Sequence, residues 1–332
     1  MPASSLTSSR EARCAGNSDE VTMPNVSTDE RAPTRTRRML CLATVAACVP
    51  YLALKVLWIM GIGVGVNGAN FVADTRGANV LTAGLDLCAA ALAVLFVRPG
   101  GRRIPAWLIC GPVWVATGLL TPLTVGATIG FPVQALLDRG GPVVDEGGLN
   151  GWVFLVVYGG FILQALLLLP GFVLYAMDRW PAVFDAAGPR RVVTASERIL
   201  GVAFFLGATT FALRSAYGAV GGGGLYPHPA PSQRVAQLVF AGLAVAGATA
   251  FWRLRDGRRP TRRLLVAAWI GSAVVFTESL VLVTGLVVAV DNSDRAYGPG
   301  GSLLCLFSLL AGVAGAAVGM QRIEQLSKGD DL

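Results

Sequence analysis

The chain has 332 residues, of which 54% are hydrophobic and 14% charged, with a mean hydropathy of +0.60. That balance excludes a disordered chain, a disulfide scaffold and an ordinary soluble globule, and it points to a polytopic membrane protein. The net charge of +7 at pH 7 would suit a nucleic-acid binder only if the basic residues formed one patch. Instead they fall between apolar blocks, so no nucleic-acid partner is expected.

In chain order, residues 1–38 are rich in Ser, Thr, Asp, Glu and Arg and show no apolar period. They read as a disordered cytoplasmic tail. Asn25-Val26-Ser27 fits a glycosylation acceptor but falls in that tail, and either Met23 or Met39 could serve as a start. The Arg37-Arg38 pair resembles a twin-arginine signal, but the apolar run behind it is too long for one and further runs follow.

Eight apolar blocks come next, at 39–66, 77–97, 105–130, 150–177, 196–222, 234–254, 263–290 and 301–321. A hydrocarbon core needs about 20 such residues per helix, so the expected fold is an all-α membrane protein with eight transmembrane helices. Between the fourth and fifth blocks, Thr194-Ala-Ser-Glu197 reads as a capping box. Trp107, Trp152, Trp180, Trp252 and Tyr226 stand near block ends, as interfacial anchors do.

The basic residues orient the blocks. Arg31, Arg35, Arg37 and Arg38 precede the first, and Arg98, Arg102 and Arg103 follow the second. Arg179, Arg190, Arg191 and Arg198 separate the fourth from the fifth. Arg253, Arg255, Arg258, Arg259, Arg262 and Arg263 separate the sixth from the seventh. If eight spans alternate, 21 of the 27 basic residues share one side, leaving Arg76, Arg139, Arg234 and Arg295 on the other. The positive-inside rule then makes both termini cytoplasmic. The skew of 25 Arg to 2 Lys, with the Ala, Gly and Val load, suggests a high-GC bacterial genome and so a bacterial cytoplasmic membrane.

Two halves echo each other. Ala53-Leu54-Lys55 matches Ala212-Leu213-Arg214, with Trp58 answering Tyr217, and Gly101-Arg102-Arg103 matches Gly257-Arg258-Arg259. Four spans per unit is an even number, so the reading is two tandem parallel four-helix repeats, 39–177 and 196–322, joined by a cytoplasmic linker at 178–195 and followed by a tail at 323–332. Haem A synthase-type proteins also join two four-helix units, but they hold haem with paired histidines. Here His228 is the single histidine, so that resemblance stops at the span count and no cofactor is implied. The stretch Pro50-Tyr-Leu-Ala-Leu-Lys-Val-Leu-Trp58 resembles the first span of uncharacterised multi-pass proteins of actinobacteria, and the resemblance brings no activity with it.

Four ionisable residues lie deep within spans: Lys55, Asp86, Arg214 and Glu278. Each costs about 2.5–3.5 kcal/mol on insertion scales, so pairing is expected, either Lys55 with Asp86 and Arg214 with Glu278 or base with acid across the two repeats. They are the candidates for a substrate site or for structural ion bridges. Tyr51, Lys55 and Trp58 share a helix face, and Thr210, Arg214 and Tyr217 repeat it, so aromatic rings would flank both bases.

Other motifs are weaker. Gly61-Ile-Gly-Val-Gly65 and Gly221 to Gly224 resemble phosphate loops by composition alone, and read as flexible span ends. Ala311-xxx-Gly315-xxx-Gly319 and Gly242-xxx-Ala246-xxx-Ala250 are small-residue ridges for helix packing, inside the fold or in a dimer. Asp138, Asp145 and Glu146 make an acidic loop. The six cysteines, Cys14, Cys41, Cys48, Cys88, Cys110 and Cys305, show no CxxC or metal-ligand spacing. No catalytic constellation or metal set stands out. The expected function is a small-solute or ion permease with buried bases at the repeat interface. Alternatives are a non-catalytic accessory, sensory or scaffolding protein docking a membrane or cytoplasmic partner, or an intramembrane enzyme. Besides the lipid bilayer, no partner or oligomeric state is specified.

Overall fold

The first helix begins inside the stretch that composition assigns to the tail. Thr34 caps it, accepting a hydrogen bond from Arg37 N at 3.3 Å. Arg37 turns its side chain inward to Asp178 and is only 4% exposed. The cap and this ion pair let a polar, arginine-rich segment join the helix. In a computed structural model, α1 spans Arg35–Ile59, α2 Arg76–Val97, α3 Ala106–Leu137 and α4 Gly151–Arg179. They are followed by α5 Ala195–Ala219, α6 Pro231–Leu254, α7 Arg262–Val288 and α8 Pro299–Gly329. All eight are long and apolar enough to cross a membrane.

The structure describes residues 33–67, 72, 75–137, 149–184, 193–221, 229–255, 261–288 and 299–329. Outside them lie the tail with Cys14 and Asn25, the acidic loop of Asp138, Asp145 and Glu146, and Gly222 to Gly224. Tyr226, His228, Gly257 and the arginines at 31, 139, 190, 191, 258, 259 and 295 lie outside as well.

The capping box at α5 forms as its residues require. Glu197 N donates to Thr194 Oγ1 at 3.2 Å, and Thr194 N donates to Glu197 Oε2 at 3.1 Å. Thr194→Ala is expected to cost about 1 kcal/mol of helix-end stability. Hydrogen exchange of the first-turn amides of α5 checks this, with Thr194→Ser close to wild type.

Within each half, consecutive helices pack around a ring. In the first half α1 lies against α2 and α4, with α3 against α4. In the second, α5 lies against α6 and α8, and α7 against α6 and α8. The extensive contact between halves runs through one helix, α3, seated on α6 and α7. Small residues make that approach possible. A Cβ on Gly118 would lie 2.6 Å from the Thr277 hydroxyl, and one on Gly130 would lie 3.2 Å from the Ser232 backbone. Two indoles tie the seam: Trp114 Nε1 donates to Ser272 Oγ at 3.1 Å, and Trp269 Nε1 to Thr117 Oγ1 at 3.2 Å.

The small-residue ridges divide. Ala311 and Gly315 pack inside the second half, where a Cβ on Gly315 would meet Ser272 at 2.8 Å. On α6 the expected ridge packs only at its far end, where Ala250 is buried in the core. Gly242 is exposed with open space about it, while Gly247 meets Gly271 of α7 backbone to backbone. Helix pitch sets this outcome: positions 244, 247, 248, 250, 251 and 254 face the core, which leaves 242 outward.

In the segment after α1, residues 61–64 are exposed, and Gly65 is held against the start of α4. Gly61 (φ +89°) ends the helix, and Gly65 (φ +73°) turns the chain against Trp152 and Val153. Asn150 N donates to Gly65 O at 2.9 Å, and Trp58 Nε1 donates to Val64 O at 2.9 Å. Both glycines adopt a left-handed backbone that a side chain would strain.

Candidate functional site

The antiparallel hairpin of α1 and α2 sets residue levels against one another. Arg76 closes it, donating from Nε and Nη2 to Ile59 O at 3.1 and 2.8 Å. Counting inward from that closure, Lys55 comes level with Asn79, and Cys48 with Asp86. Asn79 and Asp86 are seven residues apart, two turns or roughly 10 Å along one face of α2. Helix α4 covers this face and contributes Gln164 and Phe161.

The four polar groups so gathered are nearly sealed from solvent: Lys55 is 8% exposed, Asn79 3%, Asp86 3% and Gln164 2%. Lys55 Nζ donates to Asn79 Oδ1 at 2.8 Å, and Asn79 Nδ2 donates to Thr75 Oγ1 at 3.1 Å. The ammonium also sits 4.7 Å from the centre of the Tyr51 ring and 5.0 Å from that of Trp58. Two aromatic faces and an amide oxygen thus replace its water shell. Tyr51 is itself held edge-on against Phe161, at 4.9 Å between ring centres.

Deeper along the hairpin, Asp86 Oδ1 accepts from Gln164 Nε2 at 2.5 Å, while Oδ2 has no nitrogen or oxygen donor among the described residues. The Cys48 thiol hydrogen-bonds this carboxyl, and Lys55 acts on it through space. Lys55 and Asp86 are therefore brought together as expected, yet they are neighbours rather than an ion pair. Among the described residues the salt bridge found is Arg37 with Asp178.

Apolar layers close this polar compartment at both ends. Toward the hairpin closure, Leu54, Trp58 and Val153 pack with Val66, Leu149 and Val157. Toward the other end, Cys41, Leu92, Phe96, Leu168 and Tyr175 form the core of the first half.

The second half holds the other pair. Arg214 on α5 acts through space on Glu278 of α7 and on Cys305 of α8, and no ion pair closes here either. Its guanidinium lies over Phe211, 5.2 Å from the ring centre, with Nε buried and unpartnered. The expected aromatic partner Tyr217 is 60% exposed and does not cover it. Side chains on a helix lean toward its N-terminus, which carries Arg214 to the ring three positions before it rather than three after. Thr210 bonds its own helix at Leu206 O.

The two bases do not meet at the contact between halves. Lys55 belongs to α1 and Arg214 to α5, whereas that contact is built by α3 against α6 and α7. Each base lies with an acid of its own half. Reasoning from charge alone missed Asn79 and Gln164, which carry no formal charge. Their signal was present, because an amide inside an apolar block is itself costly to bury. In comparisons with known proteins, the chain matches no family model, no curated protein and no solved structure.

Proposed function

We propose that the protein is a small-solute or ion permease of a bacterial cytoplasmic membrane, and that the polar compartment between α1, α2 and α4 is its working site. The observation that carries this reading is Asp86, 3% exposed inside an apolar span, its carboxyl met by an amide and a thiol rather than by a base. An ionisable group at such depth is expensive and marks a pathway more often than a strut. A structural ion bridge would have closed onto Lys55, yet that ammonium rests on Asn79 and two aromatic rings instead. The compartment is occluded by an apolar layer at either end, an arrangement suited to a site opened alternately to the two sides.

The same helix order in the two rings supports a tandem parallel repeat, and the placement of the arginines supports cytoplasmic termini. In this reading the second pair, Arg214 with Glu278, is the structural counterpart of the first. The test is counterflow in proteoliposomes with a panel of small charged and polar solutes. Asp86→Asn and Lys55→Ala are expected to reduce flux to the level of empty vesicles while folded protein still accumulates. Unchanged flux in both variants sinks the proposal. So does a stoichiometric protein partner in mild detergent with no flux, which is the outcome an accessory or scaffolding protein gives.

A further inference from the structure

A groove of about 430 Å³ runs between α6 and α7, lined by Leu243, Ala246, Val266, Ala267 and Ile270, with Arg262 and Arg263 at one end. Its walls are apolar, and it opens on the outside of the bundle rather than into the compartment of Asp86. The two arginines open the apolar span of α7 and are both exposed. Neither has a hydrogen-bond or ion-pair partner among the described residues, although each guanidinium presents five donors.

We infer that this groove holds one acyl chain of an anionic phospholipid, with the lipid phosphate on Arg262 and Arg263. The argument is complementarity of two kinds at one place. An apolar furrow at the side of a membrane-spanning helix is filled by hydrocarbon. Two guanidiniums that no described residue pairs, at the end of that furrow, match a phosphate, which arginine binds in a planar, bidentate geometry. Basic pockets between transmembrane helices take anionic head groups for the same reason. A free phosphate would leave the furrow empty, and a zwitterionic lipid would bring a cation to the arginines, so both are poorer occupants. The inference stands apart from the permease reading, since lipid retention needs no flux.

Native mass spectrometry of the purified full chain tests it, with phosphatidylglycerol and phosphatidylcholine of identical acyl chains as probes. Wild type is expected to keep one phosphatidylglycerol under conditions that strip phosphatidylcholine. Arg262→Gln with Arg263→Gln should weaken that retention by about thirtyfold, given the usual worth of two basic residues near a lipid surface. Ala246→Phe, which fills the furrow and leaves both arginines, should also lose it. Circular dichroism confirms that each variant is folded, and Ala246→Leu serves if the phenylalanine variant is not. Equal retention of the two lipids overturns the inference. So does retention unchanged in the folded variants, or inorganic phosphate displacing the lipid at equal concentration.

Discussion

Gly118→Leu is expected to part α3 from the second half and to abolish the folded monomer in detergent. Gly118 has no room for a side chain: a single Cβ would lie 2.6 Å from the Thr277 hydroxyl and the Ala273 carbonyl carbon. Thr277 cannot withdraw, since its hydroxyl bonds Ala273 O at 2.9 Å and the residue is fully buried. The obstacle on the other side is helix backbone, which moves only with the whole of α7. Gly118→Ala is therefore already costly, about 1–3 kcal/mol by the usual penalty for overpacking a filled core. Leucine adds three carbons where the first does not fit. The damage concentrates because α3 alone makes the extensive contact between halves, and its two indole hydrogen bonds lie at the same level. Gly84→Leu is the control, since open space surrounds that glycine on an exposed face of α2. Fluorescence-detected size exclusion reads all three: a normal peak for Gly84→Leu, a reduced one for Gly118→Ala and none for Gly118→Leu. A normal peak for Gly118→Leu would show that α3 does not dock as described.

Lys55 and Asp86 were legible as a pair of interest because a charge in an apolar run is conspicuous in any sequence. What was not legible is which groups answer them. Charge counting pairs base with acid, whereas the helices bring Asn79 to the lysine and Gln164 to the carboxylate. The reason is a matter of levels: antiparallel packing sets position 55 opposite 79, and a shift of two turns along α2 separates Asp86 from it. Hairpin registration of that kind depends on where α1 ends, and Gly61 decides this locally. The pairing of Arg37 with Asp178 was hidden for a related reason. Both residues look like interfacial charges in sequence, and only the packing of α1 on α4 turns them toward each other. The eight spans and the Thr194 capping box, by contrast, rest on local chemistry: each apolar block holds one helix, although the first runs 35–59 rather than 39–66.

Arg179→Met is expected to loosen the connection between α2 and α3, although the sequence marks this arginine only as a topological charge. Its Nη1 donates to Tyr175 OH at 2.6 Å and to Gly101 O at 3.1 Å, and its Nη2 to Ile104 O at 2.5 Å. The Tyr175 hydroxyl in turn donates to Gly101 O at 2.9 Å. One guanidinium therefore ties two carbonyls of the 98–105 turn to the end of α4, and Trp180 covers its face at 4.8 Å from the ring centre. The turn has little alternative. A Cβ on Gly101 would collide with Leu95 O, so the chain passes close to α2 and its carbonyls point at α4. Methionine keeps the volume and removes the donors, which leaves Ile104 O without this partner. Hydrogen bonds from a charged donor are worth about 1.5–3 kcal/mol each, and partial access to water offsets part of that loss. A net cost of about 2–4 kcal/mol follows. Arg179→Lys should recover only a fraction of it, because one ammonium cannot span both carbonyls and stack on the indole. Hydrogen exchange across residues 98–105 supplies the readout: fast in Arg179→Met, intermediate in Arg179→Lys, slow in wild type. If the lysine variant matches wild type, then positive charge alone holds this turn and the planar fork of the guanidinium is not required.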